Sequence, residues 1–208
     1  MNPGNAKIIK CPFCGTKKEV MTLLSGNTFG ARIWSDAKRI APMLPEVSIV
    51  QKCPKCGKYY LNVGQPDEYG EDISFELGTL SYQEWKEAYF QFMNDKEYKV
   101  FAEHLKLELI QAYNDCFRED SISVPAPGDD DFIAGIIKEY IDSKDWNEIT
   151  PLLKAELYRE AGEMENCSKV LSEIDQETLQ DFETKIFEAI KEKMEQGDRR
   201  VFELSFLY

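Results

Sequence analysis

Up to about residue 66, apolar residues come in short runs separated by turn signals: "KIIK", "KEVMTLL", "VSIVQK" and "KYYLNV". Runs of this length, bounded by Gly, Pro and Asn, predict short β-strands. Between the second and third lies "SGNTFGARIWSDAKRIAPMLPE", residues 25–46, with two glycines and two prolines. That composition predicts a long loop, with one helical turn near "SDAKRI" and an exposed Trp34. "GQPDEYGED", residues 64–72, has the glycines, proline and clustered acids of a linker.

From about residue 81 the apolar period becomes that of a helix. "SYQE" offers a capping box, in which Ser81 accepts the amide of Glu84 and Glu84 reaches back. Phe101, Leu105, Leu109, Ala112, Tyr113, Cys116 and Phe117 then recur at steps of three and four, an amphipathic stripe. "SISVPAPGDD", residues 121–130, interrupts it. Further helices are predicted over residues 130–143, from Thr150 with Pro151 at the tolerated first position, over 163–173, and over 176–196 with Gly197 past the end. The tail "RRVFELSFLY" is apolar and fits either a short helix or a strand.

The pattern thus predicts an α+β chain. Residues 1–66 form a small strand-built domain with a loop insert at 25–46, residues 67–80 a linker, and residues 81–208 a larger all-helical domain. With 208 residues, 43% hydrophobic and 12% aromatic, there is material for both cores. Charge divides along the same line. Residues 1–66 carry ten Lys+Arg against three Asp+Glu, a net +7, and the remainder carries −20. No run of about 18 apolar residues suggests a membrane span. "MNPGNAKIIK" has no apolar signal core, so the expected location is cytoplasmic.

Chemistry enters with the cysteines. "CPFCG" at 11–15 and "CPKCG" at 53–57 are two copies of one knuckle. A Cys-x-x-Cys turn lets two thiolates reach one ion, and two such turns complete a tetrahedral shell. Cys11, Cys14, Cys53 and Cys56 are therefore the predicted metal ligands. Four soft thiolates with no open position favour a structural Zn²⁺ over a catalytic one. Three alternatives are two unrelated reduced cysteine pairs, a redox dithiol and an iron site. The dithiol is disfavoured because each pair lies between strand-like runs and does not open a helix.

Residues 7–62 resemble a zinc ribbon, on the strength of those four cysteines and their Pro and Gly neighbours. The knuckles are also similar to those of rubredoxins, which would imply an iron electron carrier. The segment between the knuckles lacks the aromatic and acidic pattern associated with that family. Residues 151–174, "PLLKAELYREAGEMENCSKVLSEI", resemble one tetratricopeptide-type helical hairpin. Ala155 and Tyr158 match its first helix, Gly162 its turn, and Cys167 and Leu171 its second helix. A zinc ribbon followed by such helices is similar to the arrangement in uncharacterised bacterial proteins and brings no activity with it.

The other reactive side chains read as structural. Cys116 and Cys167 fall on apolar helical faces and behave as small hydrophobes there. His104 has no second histidine or spaced cysteine as companion. Asp129, Asp130 and Asp131 precede a helix and suit its N-terminus. Glu160, Glu163 and Glu165 read as a solvated face. No phosphate loop, nucleophile elbow or HExxH motif occurs, and no catalytic residues or organic cofactor are predicted. The expected function is a non-enzymatic protein-binding or scaffolding module with a protein or peptide partner. The alternative is a nucleic-acid-binding ribbon that uses Trp34, Phe29, Lys17, Lys18, Arg32 and Arg39. Intramolecular pairing of basic and acidic residues would explain the charge split without a ligand.

Overall fold

A computed structural model describes residues 1–63, 68–118, 124–144 and 148–205, with the side chains of residues 102 and 103 excepted. Parts of three sequence readings lie outside the described residues: the linker at 64–67, the helix interruption at 121–123 and the tail at 206–208. The chain divides into two units, residues 1–31 with 40–95, and residues 32–39 with 96–208. As expected, antiparallel strands come first and helices follow.

In the first unit, β1 (Asn2–Lys10) and β2 (Lys17–Ser25) form an antiparallel hairpin in which Lys10 faces Lys17. The residues left over at its tip, 11–16, are the first knuckle. β5 (Val50–Lys52) and β6 (Tyr59–Leu61) form a second hairpin in which Lys52 faces Tyr59, so the second knuckle is again the tip. The sequence placed no strand in the acidic stretch after residue 67. There β7 (Glu68–Ile73) pairs with β1 and completes a sheet of order β2-β1-β7.

Helix α1 (Tyr82–Met93) starts at Ser81 with the predicted capping box and belongs to this unit. Its Gln91 brackets β6, accepting from the Tyr59 amide at 3.0 Å and donating to the Tyr59 carbonyl at 2.6 Å. Glu87 accepts from the Tyr59 hydroxyl at 2.6 Å, and Lys52 lies 3.1 Å from Glu84.

The insert at 25–46 differs from its sequence reading. Residues 32–40 form a hairpin, β3 (Arg32–Ile33) and β4 (Arg39–Ile40), where a helical turn was expected. Ala37 takes a left-handed φ of 64° at its turn. Residues 32–39 belong to the helical unit, and Trp34 is buried there at 5% exposure. The guanidinium groups of Arg32 and Arg118 each lie 5.1 Å from its ring centroid. Such stacking shields the indole and accounts for the failed expectation of an exposed tryptophan.

The second unit holds α2 (Lys99–His104), α3 (Lys106–Asn114), α4 (Asp129–Asp142), α5 (Pro151–Glu160), α6 (Met164–Glu173) and α7 (Asp181–Glu195). The stripe predicted from Phe101 to Phe117 is interrupted at Leu105 and ends in a 3-10 turn, Asp115–Phe117. α5 packs on α4, α6 and α7. Thr150 caps it by accepting the Leu153 amide at 3.3 Å, with Pro151 at the first position. Gly162, at φ +79°, reverses the chain into α6. Ala155, Cys167, Leu171, Phe187 and Ile190 form the core of this three-helix region, so Cys167 acts as a small apolar filler. His104 is exposed at the end of α2 and Cys116 is half-buried.

Glu160 overturns its expectation of solvent exposure. It is buried and accepts from Asn114 Nδ2 at 2.9 Å, while the same Asn114 nitrogen lies 3.0 Å from Asp36 Oδ2. Arg118 pairs with Asp36 from the other side. Burial first, then the nearby Glu156 and Asp36 charges, pushes the Glu160 carboxyl well above the usual carboxylate range. Its folded-state pKa therefore exceeds its unfolded one. The stabilising proton is fully held below the unfolded value and lost as pH rises through the folded value. Glu160→Gln is expected to remove this alkaline-side decline in unfolding midpoint. A pH series of thermal melts checks it, and an unchanged pH slope would reject the assignment.

Candidate metal centre

The two knuckles share one bonding pattern. Cys11 N donates to Thr16 O at 2.9 Å and Gly15 N to Cys11 O at 2.9 Å. Cys53 N donates to Lys58 O, and Gly57 N to Cys53 O, at the same 2.9 Å. Gly15 and Gly57 have φ of +70° and +72°, the left-handed region that a side chain disfavours. In each turn the first cysteine is buried and the second exposed.

The tips meet. Cys11 Sγ lies 3.7 Å from Cys56 Sγ and Cys14 Sγ lies 3.5 Å from Cys53 Sγ. All four sulfurs are within 4.8 Å of one another. These separations are far above a disulfide bond of about 2.05 Å. A tetrahedral metal–sulfur length of about 2.3 Å gives a sulfur–sulfur edge of about 3.8 Å. The donor set and its spacing thus fit a four-coordinate thiolate metal, and all four predicted ligands are brought together.

The protonation pattern explains why such a cluster calls for a cation. Hydrogen bonds from Thr16, its hydroxyl first and its backbone second, pull the Cys14 thiol down to about 6. The backbone amide of Cys56, 3.5 Å from Cys53 Sγ, lowers Cys53. The amide of Lys58 favours the Cys56 thiolate, yet desolvation and the three neighbouring sulfurs push it up to about 12. Four adjacent sulfurs cannot all ionise unless a positive charge sits among them.

Sequence reasoning missed Tyr60. It forms the floor of the site with Ile9, Cys11, Val20 and Cys53. Burial first, then the four cysteines, pushes its phenol up to about 12, and its hydroxyl has no hydrogen-bond partner among the described residues. Its signal was the strand register: Tyr60 opposes Gln51 one step past the knuckle. Lys58, at 4.6 Å from the Phe13 ring, reaches from the second knuckle to the first. Among the described residues, no second group of three or more metal-ligating side chains occurs.

Comparison of the chain with protein-family models, curated proteins and solved structures gives no match. No described helix is long and apolar enough to cross a membrane.

Proposed function

We propose that the chain is a cytoplasmic, non-enzymatic protein-binding module. A structural Zn²⁺ on Cys11, Cys14, Cys53 and Cys56 folds its N-terminal zinc ribbon, and a tetratricopeptide-like hairpin, α5–α6, anchors its helical unit. Bound zinc would supply charge neutralisation and a cross-link between two hairpin tips. The protein's part is to present four thiolates with their turns already formed and to leave no position open for substrate. The Ala155–Cys167 packing and the Gly162 turn support the hairpin resemblance.

The observation that carries the binding role is where apolar surface remains. Among the described residues, twelve of the sixteen exposed large hydrophobic side chains lie in the metal-folded unit, including Phe29 at 88% and Phe75 at 69% exposure. We read this concentration of exposed aromatic and aliphatic side chains in one unit as the face offered to a protein partner. The nucleic-acid alternative draws less support. With β7 and α1 included, this unit carries eight Lys+Arg against ten Asp+Glu. Lys17, Lys18 and Lys52 are paired with Glu68, Glu76 and Glu84. A phosphate-binding face needs free positive charge.

The test is quantitative affinity capture from a cell extract with the zinc-loaded protein and its Phe29→Glu and Phe75→Glu variants. A specific protein partner should be enriched on the parent and fall at least tenfold on both variants. Equal capture on all three would reject this surface. Salt-sensitive binding of DNA or RNA in fluorescence anisotropy would instead favour the alternative.

A further inference from the structure

The cysteine cluster is sheltered on one side and open on the other. Cys11 and Cys53 are buried against Ile9, Val20 and Tyr60, whereas Cys14 and Cys56 are exposed. The turn residues beside them, Pro12, Gly15, Pro54, Lys55 and Gly57, are exposed as well. Solvent therefore reaches one sulfur of each knuckle. The other cysteines are more enclosed: Cys116 is half-buried, and Cys167 is buried in the core of α5, α6 and α7. Oxidation of a cysteine follows its exposure and its thiolate character, and a metal-ligating sulfur is a thiolate.

The sulfur contacts cross from one knuckle to the other. The 3.5 Å contact joins exposed Cys14 to buried Cys53, and the 3.7 Å contact joins buried Cys11 to exposed Cys56. Each sets a reachable sulfur against a sheltered one on the opposite hairpin tip. The turns themselves are closed by backbone bonds, Gly15 N to Cys11 O and Gly57 N to Cys53 O. A bond between sulfurs of the two tips consumes none of these.

We infer that the four cysteines are a peroxide-sensitive site, which exchanges its metal for two disulfides that cross the knuckles, Cys14–Cys53 and Cys11–Cys56. The inference rests on the structural-zinc reading. The exposed thiolate, Cys14 or Cys56, attacks one peroxide oxygen. The O–O bond breaks, hydroxide leaves, and the sulfur becomes a sulfenic acid. The buried thiolate across the tip, Cys53 or Cys11, then attacks that sulfur; the S–S bond forms and a second hydroxide leaves. Each link takes two electrons from two sulfurs and reduces one peroxide to two hydroxides. With both links formed, no thiolate remains to hold the ion. The links join the same two tips that the metal joins, so the unit keeps its cross-link after the metal is lost. A disulfide within one Cys-x-x-Cys turn would leave the tips apart.

The test treats the zinc-loaded full-length protein with hydrogen peroxide, follows released zinc with a colorimetric chelator, and blocks remaining thiols with N-ethylmaleimide before peptide mapping. Trypsin cuts after Lys10, Lys17, Lys52, Lys55 and Lys58, so it separates Cys53 from Cys56 and leaves Cys11 with Cys14. Zinc should be released at about one ion per two peroxides consumed. Peptide 11–17 should be linked to both 53–55 and 56–58, with fragment ions between Cys11 and Cys14 assigning Cys11 to Cys56. Buried Cys167 should stay reduced, and dithiothreitol with added zinc should restore the loaded protein. Zinc retained under excess peroxide, a link between 53–55 and 56–58, sulfinic acids without links, or equal oxidation of Cys167 would overturn the inference and leave the zinc reading standing. A protein purified without zinc would overturn that reading and this inference with it.

Discussion

Replacing Cys53 with serine is expected to abolish metal binding and unfold the N-terminal unit while the helical unit stays folded. Two of the five buried residues in the cluster under the site, Cys11 and Cys53, are themselves candidate ligands. A bound zinc would add to the folding free energy of this unit by cross-linking its two hairpin tips, and zinc–thiolate sites typically supply about 10–16 kcal/mol of apparent binding. Metal content should fall from one per chain to less than a tenth of that. The loss of helix should not exceed the twelve residues of α1, which is held to β6 through Tyr59. Elemental analysis and far-ultraviolet circular dichroism read both quantities. Full metal content in this variant would remove Cys53 from the candidate ligand set, and wholesale loss of helix would contradict the expected persistence of the helical unit.

The second large effect lies in the helical unit. Arg159 and Glu156 are both fully buried, with Nε donating to Oε2 at 2.8 Å and Nη2 to Oε1 at 2.5 Å. Arg159 Nη2 also donates to the Arg200 carbonyl at 3.0 Å, and Nη1 to that of Asp198, which ties α5 to the C-terminal segment. Arg159→Met leaves a carboxylate buried without its partner, at a cost of about 3–5 kcal/mol. Removing both charges, as Glu156→Leu with Arg159→Met, should recover part of that loss, because the unpaired carboxylate is gone while the Asp198 and Arg200 carbonyls lack their donor in both variants. Urea unfolding of both variants, followed on the helical signal, makes the comparison. A single variant within about 1 kcal/mol of the parent would show that the buried pair contributes nothing to stability.

The cysteine cluster was legible because a knuckle is local: five residues encode a turn, two sulfurs and the glycine that closes it. The helix starts at Ser81 and Thr150 were legible for the same reason, since a cap is satisfied within three residues. What the sequence hid was set by distant partners. Asp36 and Arg118 are separated by 82 positions, and their pairing, with the bonds from Asn114 and the C-terminal segment, holds the β3–β4 turn and buries Trp34 with it. Glu160 lies among other glutamates and looks solvated until Asn114, 46 positions away, supplies its hydrogen bond. β7 is exposed along most of its length and so lacks the alternation that marks a strand; its place comes from pairing with β1. The net positive charge of residues 1–66 was a property of the count. Fold-mates at Glu68, Glu76 and Glu84 take up part of it.

The central claim is that four thiolates from two hairpin tips close around one zinc ion. X-ray absorption at the metal edge of the purified full-length protein tests it most directly. A zinc edge with four sulfur scatterers at about 2.3 Å and no nitrogen or oxygen neighbour is expected. An iron edge, or a zinc shell with fewer sulfurs and a light-atom ligand in an open position, would contradict it.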